Sequence, residues 1–216
     1  QLQWAALLQR RLGTLDAEFR DVMVRELREL HNRIHATTVY VTHDQLEAMA
    51  MADKIAVMNQ GLIEQFGTPS EVYNRPATMF VANFLGSPPM NFIPFEGGLE
   101  KGSGTVMVNG SAIDVPQLHE DLAPTSLSLG IRPEHIRFDD AAPLRGSVYG
   151  AEYLGTTQIV AVELGDDIIK ARVPSDRLVR IGETVGLTFE GPKLSLFEQG
   201  SGRAIRTALH EGASHG

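Results

Sequence analysis

The sequence predicts an α+β chain: a stretch of α/β order followed by an all-β domain built as a small barrel. Three observations carry this. Apolar residues recur at three- and four-residue intervals from Leu15 to Ile34, and the β-branched run "TTVYV" (37–41) follows almost at once. From roughly residue 92 to residue 200 the helical period disappears, and short alternating stretches are separated by Gly, Asn and Asp.

In chain order, Leu15, Phe19, Val22, Met23, Leu27, Leu30 and Ile34 share one face of a helix, with Glu18, Arg25, Arg28 and Glu29 opposite. "TTVYV" reads as a buried strand, because β-branched and aromatic side chains suit a pleated surface. Thr42 or Asp44 can cap the next helix, which should run through Met51, and Asp44 with Glu47 has capping-box spacing. "KIAVMNQGLIEQFG" (54–67) is a strand, a Gly-containing turn and a strand. Thr68, Pro69 and Glu71 open a helix that Pro76 breaks, and a short second helix can run on to Gly86.

Beyond "GSPPMNF" two hairpins stand out. Asn109-Gly110 supplies the positive φ angles of a two-residue turn within "TVMVNGSAIDV", and Gly165-Asp166 turns "QIVAVELGDDIIKARV". "SLSLGIRPEHIRF", "GSVYGAEYLG" and "ETVGLTFE" add further strands. The domain expectation is an α/β part over residues 1–86, a β domain over 87–205 and a small polar, disordered tail over 206–216.

Composition narrows the function classes. With 216 residues and 43% hydrophobic content in short runs, no stretch reaches the roughly 18 apolar residues of a membrane span. The absence of cysteine excludes disulfide and thiolate chemistry and fits a reducing, intracellular setting. A net charge of −8 with scattered Lys and Arg argues against a nucleic-acid partner.

His43 stands where a buried strand would end and a helix begin, the place where open α/β sheets hold ligands. His43, Asp44 and Glu47 as metal ligands do not match a zinc spacing, and capping already explains the carboxylates. The methionines of "MAMAD" and Met58 read as core filler. Arg132, Glu134 and His135 could bind a small ligand, against a plainer reading of Pro133 as a turn residue with Ile131 and Ile136 in the core.

From "VTHDQLEAMAMADKIAVMNQGLIEQFGTPSEVYNRPATMFVANFLGSPPMNF" the chain resembles the ATP-binding subunits of ABC importers, in the carbohydrate and glycerol-phosphate (maltose-type) class that carries a C-terminal OB-like, TOBE-type regulatory domain. The resemblance extends from "LGTLDAEFRDVMVRELRELH" to "LFEQGSGRAI", about residues 12 to 205. It implies that His43 is the switch histidine, a catalytic residue that contacts the γ-phosphate of ATP. An imidazole donor can bond that phosphate and the attacking water, then lose the contact when the phosphate leaves. It also implies that Leu15 and Asp16 of "GTLDA" form the D-loop at the interface of two nucleotide-binding domains; on its own, Asp16 reads as an acid at a helix N-terminus.

Other elements of that family's pattern are not in this sequence. There is no GxxxxGK[ST] phosphate loop, no Gln loop, no LSGGQ-type signature, and Gln9, Arg10 and Arg11 stand near where an Asp-Glu pair should precede the D-loop. The expectation is therefore a truncated chain, atypical over residues 1–11, that binds ATP and Mg weakly and does not hydrolyse ATP, although its parent type does. The resemblance implies a peripheral position on the cytoplasmic face of the membrane, with permease subunits, an extracytoplasmic solute-binding protein and a homodimer through the regulatory domain as the parent's partners. Two alternatives remain: a non-catalytic regulatory and dimerisation module, or an oxyanion site using turn amides and the hydroxyls of Thr156, Thr157 and Ser175. A partial α/β domain is also expected to leave Val39 and Val41 on an exposed edge.

Overall fold

The computed structural model describes residues 17–34 and 37–211, with side chains of the first helix described from Val22 onward. The chain divides into two compact units after Pro69.

The first unit contains helix α1 (Ala17–Ile34), helix α2 (Gln45–Met51) and the antiparallel strands β1 (Ile55–Asn59) and β2 (Leu62–Gly67). The predicted period does produce α1, but its apolar stripe stays at the surface: Val22, Leu30 and Ile34 are 40%, 45% and 59% exposed. The β1–β2 turn takes positive φ at Gln60 (49°) and Gly61 (83°), the primed geometry that matches strand twist. Met58 does not lie in a core; it is 59% exposed, on the outward side of the hairpin with Phe66.

"TTVYV" is not a strand. Residues 37–41 pair with no ladder among the described residues, and Val39 and Val41 are 70% and 65% exposed. β-branched composition favours a strand only where a neighbouring backbone takes its hydrogen bonds.

The β unit begins with two short helices, α3 (Pro69–Asn74) and α4 (Met79–Phe84), separated at Pro76 as expected. The Thr78 hydroxyl caps α4 by accepting from the Val81 amide at 3.3 Å. These helices pack with the strands: Val72, Val81 and Ala82 are fully buried, and Thr78 bridges Arg203.

The strands follow as β3 (Asn91–Leu99), β4 (Thr105–Val108), β5 (Ser111–Asp114), β6 (Leu122–Ile131), β7 (Ile136–Phe138), β8 (Arg145–Tyr153), β9 (Thr157–Leu164), β10 (Asp167–Pro174), β11 (Thr184–Phe189) and β12 (Ser195–Glu198). A five-stranded sheet runs in the order β10-β9-β8-β11-β7, a three-stranded sheet in the order β12-β6-β3, and β4 pairs with β5. Both predicted hairpins are present, with Asn109 (φ 49°), Gly110 (φ 76°) and Gly165 (φ 65°) in their turns. One continuous core gathers Ile93, Leu129 and Leu196 of the smaller sheet with Val148, Val162 and Val185 of the larger. The fold is thus an α/β part followed by an OB-like β domain.

Residues 206–211, expected to be disordered, are ordered. Thr207 is fully buried and bridges Leu118, and a 3₁₀ turn covers Ala208–His210. Short polar stretches look like loops in a sequence, but these amides and carbonyls pair with residues 117–120, far away along the chain.

Candidate functional site

The local sequence around His43 builds a braced turn. The Asp44 carboxylate accepts from the amides of Leu46 (2.8 Å) and Glu47 (3.2 Å), satisfying two of the donors left over at the start of α2. The capping box predicted from the Asp44–Glu47 spacing is only half formed. The Asp44 amide instead donates to Thr42 Oγ1 at 2.9 Å, while the buried Glu47 carboxylate accepts from Thr42 Oγ1 (2.7 Å) and Tyr40 OH (3.1 Å). Burial, followed by the Glu47 charge and hydrogen bond, pushes the Tyr40 pKa up to about 12, so the phenol stays a donor.

The other end of α2 is tied to α1. Arg28 donates to the Met51 carbonyl and to Asp53, both at 2.6 Å, and His31 lies 3.2 Å from Thr38 Oγ1 and 3.8 Å from Asp53. The Arg28 guanidinium holds the exposed Asp53 carboxyl below the usual range. Between these braces His43 is exposed, and no hydrogen bond or ion pair engages its ring among the described residues. The imidazole is therefore free to meet a ligand on a backbone that is locally fixed. Leu15 and Asp16 lie outside the described residues.

The other sequence candidates resolve differently. Asp44 and Glu47 are occupied by the turn itself, and among the described residues no group of three His, Cys, Asp or Glu could hold a metal. Arg132 is 2% exposed and faces the protein rather than a cleft. Its guanidinium donates to the carbonyls of Ala82 (3.1 Å), Leu85 and Tyr73 (2.7 Å), and lies 4.0 Å from the centre of the Tyr73 ring. A buried cation on the exposed carbonyls of a helix C-terminus is well placed by charge and dipole. Tyr73 OH in turn donates to Glu134 at 2.7 Å; burial, then this bond and the Glu134 charge, raise its pKa to about 12.

His135 pairs with Glu190 at 3.0 Å, and Glu190 also accepts from Arg137 at 2.8 Å. Ile131, Ile136 and Pro133 are buried, so "GIRPEHIRF" is the joint that holds α3 and α4 to the strands. At the proposed oxyanion turn the backbone closes on itself: the Ser175 amide donates to the Thr156 carbonyl (3.2 Å) and the Leu154 amide to the Thr157 carbonyl (2.9 Å). Those amides have no hydrogen left for an anion.

Comparison with known proteins agrees with this architecture. Residues 86–136 match the MalK OB fold domain, and residues 129–197 match the TOBE domain. The chain is 41% identical over 206 residues to the sn-glycerol-3-phosphate import ATP-binding protein UgpC of Cupriavidus pinatubonensis, covering 90% of this chain and 56% of that one. A second such protein, from Agrobacterium fabrum, is 37% identical over 198 residues, covering 91% and 52%. An uncharacterized ABC transporter ATP-binding protein of Sinorhizobium fredii, y4oS, is 41% identical over 203 residues, covering 90% and 52%. The chain thus spans about half the length of the curated relatives it matches. Among solved structures, the cytoplasmic molybdate-binding protein ModG superposes on 49% of this chain and 94% of its own at a TM-score of 0.40 and 11% identity, too distant to bear on function.

Proposed function

We propose that this chain, which corresponds to the C-terminal part of an ATP-binding subunit of the sugar and glycerol-3-phosphate class of ABC importers, belongs to the energy-coupling machinery of such an importer. The observation that carries the reading is the presentation of His43: an exposed, unbonded imidazole on a turn fixed by Asp44, Thr42 and Glu47. In a complete ATPase this ring senses the γ-phosphate, and Leu15 and Asp16 serve the facing site as the D-loop. Residues 1–86 then belong to the ATPase domain and 87–205 to the regulatory domain, with 70–86 packing on the latter. The cargo is a sugar, a polyol or a glycerol phosphate, and the partners are permease subunits and a solute-binding protein. The subunit works at the cytoplasmic face of the membrane; no helix among the described residues is long and apolar enough to cross it.

Mg-ATP itself does not fit the residues at hand. A phosphate cradle needs clustered amides and a lysine, and the metal needs carboxylates. The sequence has no GxxxxGK[ST] run, no group of three His, Cys, Asp or Glu among the described residues could hold a metal, and the carboxylates beside His43 are already bonded to the turn. One imidazole cannot replace those parts, so no hydrolytic step is assigned to this chain alone.

The β unit has its own continuous core, and by itself it acts as a regulatory module that pairs two subunits. Isothermal titration calorimetry of the purified chain with Mg-ATP should show no binding at micromolar concentration, and phosphate release should stay at background. Micromolar binding or turnover contradicts the assignment. Light scattering should give a dimer mass at micromolar concentration; a monomer mass throughout contradicts the pairing.

A further inference from the structure

Residues 203–211, the last described ones, form a strap along residues 117–120. Arg203 pairs with Glu120 at 2.9 Å, and the same carboxylate accepts from the Arg206 amide at 2.6 Å. The His119 amide donates to the Arg206 carbonyl (2.9 Å), Leu118 bridges Thr207, and the Ala208 amide donates to the Gln117 carbonyl (2.8 Å). The strap then closes in a 3₁₀ turn in which Thr207 Oγ1 accepts from the Leu209 amide (3.3 Å) and His210 Nδ1 accepts from the buried Thr207 amide (3.2 Å). Ala208 and Leu209 form one wall of a 560 Å³ cavity whose other sides include Arg75, Val115 and Pro116.

The bond at His210 depends on its charge state. Nδ1 has a lone pair only in the neutral ring with its proton on Nε2. A second proton would set one N–H against another and leave the Thr207 amide buried without an acceptor. We propose that the strap is a pH-sensitive latch, closed while His210 is neutral and released from residues 117–119 when His210 is protonated, which opens one wall of the cavity.

The surroundings fix the sign. Burial lowers the His210 pKa first; the backbone hydrogen bond with Thr207 raises it in part, and the positive charges of Arg75, Arg206 and His119 lower it again, leaving it below its ordinary value. The carboxylates around the strap work elsewhere: Glu120, on the segment it lies against, is held by Arg203 and the Arg206 amide, and Glu211 of the strap faces His119 at 3.4 Å. That His119–Glu211 pair is exposed, with Glu211 70% accessible, so solvent screens it and it adds little to the hold on the strap. A histidine with a depressed folded pKa gives its full stabilisation above the unfolded value of about 6.5 and loses it as pH falls from there toward the folded value.

Amide hydrogen exchange of the full chain, read by NMR and corrected for intrinsic rates, tests the latch. Between about pH 7.5 and pH 5 the protection of the His119 and Ala208 amides should fall about tenfold or more. The Ile205 amide, which donates to Leu196 in the β unit, should keep its protection. In His210→Asn the side-chain oxygen can take the place of Nδ1, so the loss should vanish, whereas His119→Asn should keep it. Protection independent of pH in the unmodified chain overturns the latch. So does an equal loss in His210→Asn, or an equal loss at Ile205, which would report general unfolding.

Discussion

Replacing Arg132 by alanine is expected to destabilise the β unit by about 3 to 5 kcal/mol, because it leaves three carbonyls without their donor and opens a cavity under α3 and α4. The guanidinium is the shared partner of Tyr73, Ala82 and Leu85, and at 2% exposure no water can replace it without entering the core. Its neighbours are built around its shape: a Cβ on Gly86 would come within 2.9 Å of Nη1, at a residue already held at φ 109°. Arg132→Met should recover part of the packing loss but none of the hydrogen bonds. Arg132→Lys should fall between the two, since an ammonium cannot span three acceptors in a plane. Urea unfolding followed by far-ultraviolet circular dichroism measures all three, and a loss under about 1 kcal/mol for Arg132→Ala would contradict this role.

Gly146→Ala is expected to cost about 2 to 3 kcal/mol through overpacking. Gly146 lies where β8 passes from its pairing with β9 to its pairing with β11. A Cβ there would stand 2.6 Å from the Glu163 carbonyl oxygen and 2.5 Å from Val162 Cγ1. A flexible side chain could yield, but the nearest oxygen belongs to the backbone of the adjacent strand, so the sheet itself must move. Gly150→Ala, on the same strand with open space around it, should change stability far less. Equal losses for the two variants would contradict the steric account.

The parts that sequence reading recovered are those decided by neighbours in the chain. Asn109-Gly110 and Gly165 declare their turns because only a few residue types accept positive φ, and Asp44 declares a helix start through amides two and three residues on. The parts it missed depend on distant partners. The turn-and-core reading of "GIRPEHIRF" holds, but the role of Arg132 was not legible because its acceptors lie 47 to 59 residues away, and the order of residues 206–211 depends on residues 117–120. Strand β3 was hidden by Pro94, Gly97 and Gly98, which a strand at a sheet edge tolerates. "TTVYV" erred the other way, with strand-forming residues but no ladder.

At the candidate site, His43 was singled out as the end of a buried strand, and that strand does not form; what remains is its place before the helix that Asp44 caps. The role of Glu47 in bracing the turn was not legible, since the spacing pointed to a capping box while the carboxylate turned toward Thr42 and Tyr40.

The central claim is that the 37–51 segment presents a nucleotide-sensing histidine that acts once the missing phosphate loop, metal carboxylates and signature elements are supplied. The direct test joins residues 12–216 of this chain to the N-terminal part of one of the glycerol-3-phosphate import ATP-binding relatives, then compares ATP hydrolysis and ATP affinity with and without His43→Ala. The account predicts that the hybrid hydrolyses ATP, and that His43→Ala lowers turnover by about a hundredfold while ATP affinity stays within a few fold, as for a group acting mainly on the transition state. A His43→Ala hybrid that turns over ATP as fast as its parent would contradict it.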